Sequence, residues 1–351
     1  MSVLVKNLGD FLKLLVQAFN LSSIFPALIF VILVQLYVLP LLSQDSLLGI
    51  DKMWDATTKT GIHIILVVFI AYLLDAANLQ IIGIFEGYGL SHLFPLNWLQ
   101  KRNRDFVSRT WARIRELEWL IDRLTDQGKQ QERIDLLDLA EKLLTHKREL
   151  IKEVEKFPED PEYVLPTPFG NVIAVAEQYP RKIFGMDSVV LWPFLIPTLT
   201  KKNYAQFIVR EKAVMDFLVN ITVVLAGFGC LLGIVEWWVN GLSGALIVKL
   251  SLVALSCILT FVLSIQGAAT WGDTIRAAFV IFREDLRQTL RLRKPQDYED
   301  ERSLWETTSN FFRAQGSQND QKRWGHAIFD EASYEHTSSN KERKTCQKNR
   351  E

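Results

Sequence analysis

Long apolar stretches alternate with charged ones along this chain, and four of them run through residues 24–42, 61–82, 217–239 and 244–265. A bilayer crossing takes about 20 mostly apolar residues. Each stretch meets that length, so the pattern predicts an all-α, multi-pass helical membrane protein with four spans. Ahead of the first span, Leu4, Leu8, Phe11, Leu12, Leu15, Val16 and Phe19 recur at helical spacing, with Lys6, Asn7, Asp10, Lys13 and Gln17 mostly opposite. Residues 1–20 therefore read as an amphipathic helix, lying in the membrane interface or packed on the rest of the protein. They show no continuous apolar core ending in small residues, so they do not read as a signal peptide.

The polar pattern divides the remainder. Residues 21–85 form the first membrane hairpin. In residues 86–156, Phe106, Ile114, Leu117, Ile121 and Leu124 make one helical stripe, and Ile134, Leu137, Ala140, Leu144, Ile151 and Val154 make a second. Asp126-Gln127-Gly128-Lys129 reads as the break between them. The expectation is an antiparallel helical hairpin of coiled-coil type, solvated on its charged face or serving as a docking arm. Residues 157–215 are rich in proline, too rich for one continuous helix. Their apolar run 189–199 is too short to span and suits an interfacial position. A short helix over 202–215 then feeds the third span. Residues 216–294 form the second membrane hairpin, whose last helix continues beyond the membrane toward Pro295. The polar segment 295–351 reads as disordered.

Charge decides orientation. Lys and Arg total 40 and Asp and Glu total 40, so the net charge is zero. That balance gives no field suited to nucleic acid. Lys101, Arg102 and Arg104 follow the second span, and Arg276, Arg283, Arg287, Arg291, Arg293 and Lys294 follow the fourth. The positive-inside bias places both termini and residues 86–216 in the cytoplasm. The three cysteines and five histidines have no metal-ligand spacing. No metal, cofactor or enzyme is expected, because no phosphate loop, zinc-protease or nucleophile-elbow motif occurs. Glu86 and Glu177 are isolated carboxylates beside the membrane.

Polar groups inside spans are costly and therefore informative. Asp75, Asn78, Asp216, Asn220, Gln266 and Asp273 fall toward the cytoplasmic leaflet and form a candidate polar collar. The collar reads either as the mouth of a pore or as groups that pair with Arg210, Lys212 or Arg276 to hold the bundle. In the outer leaflet only Gln35, Thr222 and two snorkelling candidates, Glu236 and Lys249, are polar. Gly229 and Gly233 are candidates for close helix packing, between copies or within the bundle. Ser251, Ser256, Thr260 and Ser264 are expected to bond back to their own helix.

Two motifs carry a resemblance. Phe85-Glu86-Gly87-Tyr88 ends the second span. Pro166-Thr167-Pro168-Phe169-Gly170-Asn171 opens a segment that continues through Phe184-Gly185-Met186-Asp187 and Trp192-Pro193. Over roughly residues 70–290 the chain resembles a family of uncharacterised bacterial multi-pass membrane proteins with an FEGY-like and a PTxxGN-like element. Gly83 departs from that pattern, standing where a basic residue is expected. The resemblance implies the helical topology and a bacterial inner-membrane location, and no activity. The resulting expectation is a non-enzymatic, oligomeric inner-membrane protein with a cytoplasmic helical platform, acting as a channel or pore, or as a scaffold or signalling subunit. Its partners would be the lipid bilayer, further copies of itself and a cytoplasmic protein.

Overall fold

The computed structural model describes residues 21–44, 56–88, 95–130 and 133–313. The helix expected over 1–20 lies outside them, as does the tail beyond residue 313. All regular structure among the described residues is helical. α1 (Leu21–Leu33) passes through a π turn (Val34–Val38) into α2 (Leu39–Gln44), followed by α3 (Ala56–Ala76) and α4 (Asn78–Glu86). Then come α5 (Leu96–Gln130), α6 (Ile134–Val154), α7 (Pro168–Phe184) and α8 (Ser188–Lys201). α9 (Ala205–Asn240), α10 (Gly244–Thr289) and α11 (Tyr298–Arg313) complete the chain.

Three helices are long and apolar enough to cross a membrane, Leu21–Leu42, Ala205–Asn240 and Gly244–Thr289, and up to five segments cross if each of two bent pairs is one span. The π turn just before Pro40 has a local cause. Proline lacks the amide proton, and its ring crowds the carbonyl four residues back, so the ladder widens there. The second expected span, 61–82, is not one rod. Thr60–Ala76 and Asn78–Glu86 meet at 56°. Ala77 lies at the bend, at φ −92° and ψ 3°. Its neighbours keep the ladder, since Ala77 N donates to Leu73 O and Ile81 N to Ala77 O, both at 2.9 Å.

The chain divides into two compact units. The first comprises the described parts of 1–103, with 165–170 and 210–271. In it, Val38, Phe228 and Leu232 form a buried core, flanked by Phe30, Val34 and Val235. α10 approaches α9 closely: a Cβ on Gly267 would lie 3.3 Å from the Met215 Cα. Glu236 and Lys249 do not snorkel apart. Glu236 is buried, and Lys249 Nζ donates to both of its carboxylate oxygens at 2.9 Å.

The second unit comprises the described parts of 104–164, 171–209 and 272–351. Its hairpin is closed by Val107, Ile114, Val154 and Val164, with Trp111, Leu150 and Phe157 against them. Asp126–Lys129 does not break α5, which runs on to Gln130. Gly128 lies inside the helix, and Leu137 packs against it; a Cβ would stand 2.8 Å from Leu137 Cδ2.

As the prolines of 157–215 imply, that segment is not one helix but several, although Pro180, Pro193 and Pro197 lie inside helices. Pro193 and Pro197 sit inside α8, one turn apart on its exposed face, while Leu191, Leu195, Thr198 and Leu199 are buried on the other. The missing amides thus fall on the side away from the core. The helix expected over 202–215 is the start of α9, continuous for 36 residues. α10 is 46 residues long. At about 1.5 Å per residue it extends about 70 Å, more than twice the thickness of a hydrocarbon core of about 30 Å. Beyond Pro295 the expected disorder does not hold over Tyr298–Arg313. There α11 is a regular helix that buries Leu304, Trp305, Thr308 and Ser309.

Candidate functional site

The two motifs that carry the family resemblance come together in the first unit. Gly87 ends α4 in the left-handed region at φ +89°, and a Cβ there would lie 2.3 Å from Pro166 Cγ. Gly170 meets α4 from the other side: its Cβ would lie 2.4 Å from the Glu86 carbonyl oxygen. Between them stands Thr167. Its hydroxyl accepts the Gly170 N–H at 3.0 Å and donates to the Phe85 carbonyl at 2.6 Å. Thr167 thus caps the start of α7, with Pro168 at the first helical position, where no amide is needed. The same hydroxyl satisfies one of the last carbonyls of α4, which have no partner within that helix. Phe85 lies edge-on to Phe169 at 5.7 Å and touches Phe261 at 5.6 Å. Asn103 Nδ2 donates to the Leu165 and Pro166 carbonyls, each at 3.3 Å. The Thr-Pro-x-Gly order is a helix-start signature that a capping analysis of the sequence would find. Its partner, the Phe85 carbonyl, has no such signature.

The candidate collar separates. Asp216 and Asn220, one turn apart on α9, are buried at 5% and 1% exposure. Lys212 Nζ donates to Asp216 Oδ2 at 2.6 Å. Asn220 Nδ2 donates to the Ser22 carbonyl at 3.1 Å, with Ser23 Oγ at 3.5 Å. That donor contact fixes the amide orientation, since flipping it would set two acceptors face to face. Asp216 Oδ1 and Asn220 Oδ1 remain without a hydrogen-bond partner among the described residues, as does Asn78 Oδ1. Asp75 and Gln266 are exposed. Asp273 lies in the second unit, exposed and paired with Arg276. The structure therefore joins Asp216 and Asn220 to Lys212, Ser22 and Ser23, and leaves Asp75 and Gln266 on the outer surface.

Gly229 serves contact within the chain, since a Cβ would lie 2.9 Å from Val253 Cγ1 on α10. At Gly233 the nearest atom, Leu250 Cδ2, is 3.6 Å away, an ordinary contact. Beside them an apolar groove of about 640 Å³ runs between α9 and α10, lined by Cys230, Ile234, Trp237, Leu250 and Cys257 among others. Ser251, Ser256, Thr260 and Ser264 all donate to carbonyls of α10 itself, as expected. The Thr222 and Thr260 hydroxyls, 2.8 Å apart, also link α9 to α10. Among the described residues no three His, Cys, Asp or Glu side chains stand together as a metal site. Glu86 and Glu177 are each half-buried, and the Glu177 carbonyl accepts the Ser188 hydroxyl at 2.7 Å.

Helical regular structure throughout the described residues, with several membrane-length apolar helices, defines a helical membrane protein. No family model, curated protein or solved structure matches this chain.

Proposed function

We propose that this chain is a non-enzymatic, four-span protein of a bacterial inner membrane that works as an oligomeric scaffold, recruiting a protein partner to a cytoplasmic helical platform. The observation that carries this reading is the far end of the α5–α6 hairpin. Near its base the hairpin buries Val107, Ile114 and Val154, whereas Trp119 farther along α5 and Ile134 and Leu139 near the joint are 58%, 81% and 45% exposed. Large apolar side chains exposed on a charged arm are candidate contacts for a partner. The clustering of Lys and Arg after the second and fourth spans supports a cytoplasmic position for the arm. A photo-reactive amino acid placed at Trp119 or Ile134 in cells tests this. The reading expects a cross-link to a second polypeptide, or to another copy, that Leu139→Asp abolishes at unchanged abundance. A hairpin that cross-links to nothing sinks it.

A second reading, an oligomeric channel, rests on the orphan oxygens of Asp216 and Asn220 in the buried part of α9. Polar atoms at that depth are the usual lining of a path for ions. Liposomes loaded with an ion-sensitive dye separate the two. Flux above empty liposomes that changes with Asp216→Asn would replace the scaffold by a channel.

A further inference from the structure

The helices α7 and α8 meet at 87° across Gly185-Met186-Asp187. α11 touches this elbow point by point. The Tyr298 hydroxyl donates to the Ile183 carbonyl. Gly185 has φ +76°, and a Cβ there would stand 2.5 Å from the Arg302 carbonyl oxygen. The Asp187 N–H donates to Ser309 Oγ at 2.9 Å. The Asp187 carboxylate caps α8 by accepting the Val190 N–H at 3.1 Å, and its second oxygen pairs with Arg313. Residues 298, 302, 309 and 313 are spaced by four, seven and four, so they form one stripe along the whole of α11. We propose that α11 is a releasable strap that sets the α7–α8 bend.

The attachment is charged at its rim and narrow at its core. Arg283 donates to Glu301 at 2.9 Å, and Arg293 makes two bonds to Asp300 at 2.6 and 2.7 Å. The apolar anchor is Leu304 and Trp305, with Phe312 stacked on Phe194 at 4.5 Å. The buried Thr308 and Ser309 hydroxyls donate only to carbonyls of α11, and the Trp305 indole N–H has no acceptor among the described residues. A face with that much polar content holds less tightly than an apolar one of equal size. The strap is also a helix in its own right, with Glu299, Asp300 and Glu301 in its first turn and Arg313 in its last, the arrangement that suits the helix dipole. At 16 residues it is marginal as an isolated helix, so its own amides exchange faster once it lifts. Arg293, with the Gln296 N–H, holds the Asp300 carboxyl down to about 2, so the pair stays charged at neutral pH. Release then answers to ionic strength or to a competing charged helix, since salt reaches pairs whose arginines are one-third exposed.

Hydrogen exchange on the full chain in detergent tests the proposal, with the Asp187 amide as reporter. The expected result is that raising salt from about 0.05 M to about 0.5 M speeds exchange about tenfold over 185–190 and over α11 together. Glu301→Arg should do the same at low salt, and adding Arg283→Glu should bring protection back toward wild type. Faster exchange in α11 with 185–190 unchanged would show that the strap does not set the bend. Exchange that ignores salt in both segments would show that it is not releasable by charge. If Glu301→Arg fails to fold, the wild-type salt series decides alone.

Discussion

The Thr167 hydroxyl donates to the Phe85 carbonyl across 82 residues of sequence, at 2.6 Å. One oxygen atom thereby joins the end of α4 to the beginning of α7. Around it, Gly170 meets the Glu86 backbone and Gly87 meets the Pro166 ring, each closer than a Cβ permits.

Removing that hydroxyl should be felt at both helix ends. Thr167→Val leaves the Gly170 amide and the Phe85 carbonyl unpaired, and a lost cap with an unsatisfied carbonyl costs about 2 kcal/mol. Thr167→Ser keeps the oxygen and should cost little. Thermal unfolding in detergent, followed by circular dichroism, should rank wild type and Ser above Val. Equal midpoints for all three would remove Thr167 from the junction.

Glycine substitutions should divide sharply by position. Gly170→Ala drives a methyl group against the Glu86 backbone, and Gly87→Ala adds left-handed strain to a clash with Pro166. Each should lower the folded yield and the unfolding temperature. Gly83→Ala meets nothing within 4 Å inside a helix, so it should be neutral or stabilising by up to about 1 kcal/mol. A Gly83→Ala protein less stable than Gly170→Ala would refute the packing derived from these contacts.

Asp216 and Lys212 should behave as a coupled pair. Lys212→Gln leaves a buried carboxylate without its cation, and the loss should be about 2 kcal/mol, discounted because Lys212 is one-third exposed. Asp216→Asn in the same chain removes the charge that needed pairing. The double variant should therefore be more stable than the sum of the single changes. Additive losses would mean that the two side chains do not interact.

Acid should loosen the second unit, and neutral pH should leave it intact. Arg287, with Gln288 and Lys294 beside it, holds the Glu284 carboxyl down to about 2 from an ordinary 4.5, and Arg293 lowers Asp300 to about 2 from 3.8. Both folded-state values lie below the unfolded ones. Their stabilisation is therefore complete above about pH 4.5 and is lost as pH falls toward 2. Proteolysis at the α10–α11 connection should accelerate over that interval and stay flat between pH 5 and 8. Arg293→Gln should flatten the part of the acid response that comes from Asp300.

What was legible in the sequence was whatever a single segment encodes. Apolar length identifies α1–α2, α9 and α10 as membrane helices, because a chain in lipid must satisfy its backbone internally and a helix does so locally. The return of Ser251, Ser256, Thr260 and Ser264 to their own helix is equally local. That Pro193 and Pro197 fall on the exposed face of α8 was not legible, because neighbours decide which face is buried. α11 escapes notice because its buried stripe, Leu304, Trp305, Thr308 and Ser309, is half polar.

By itself, then, the sequence determined a helical membrane protein with a charged hairpin and a long final span. Only the tertiary structure decided that Thr167 meets Phe85, that Asn220 turns inward to Ser22, and that α11 lies on the elbow at Asp187. The physical reason is range. Periodicity states which face of a helix avoids water, but carries no information on which distant carbonyl, glycine or guanidinium will meet it once the chain has closed.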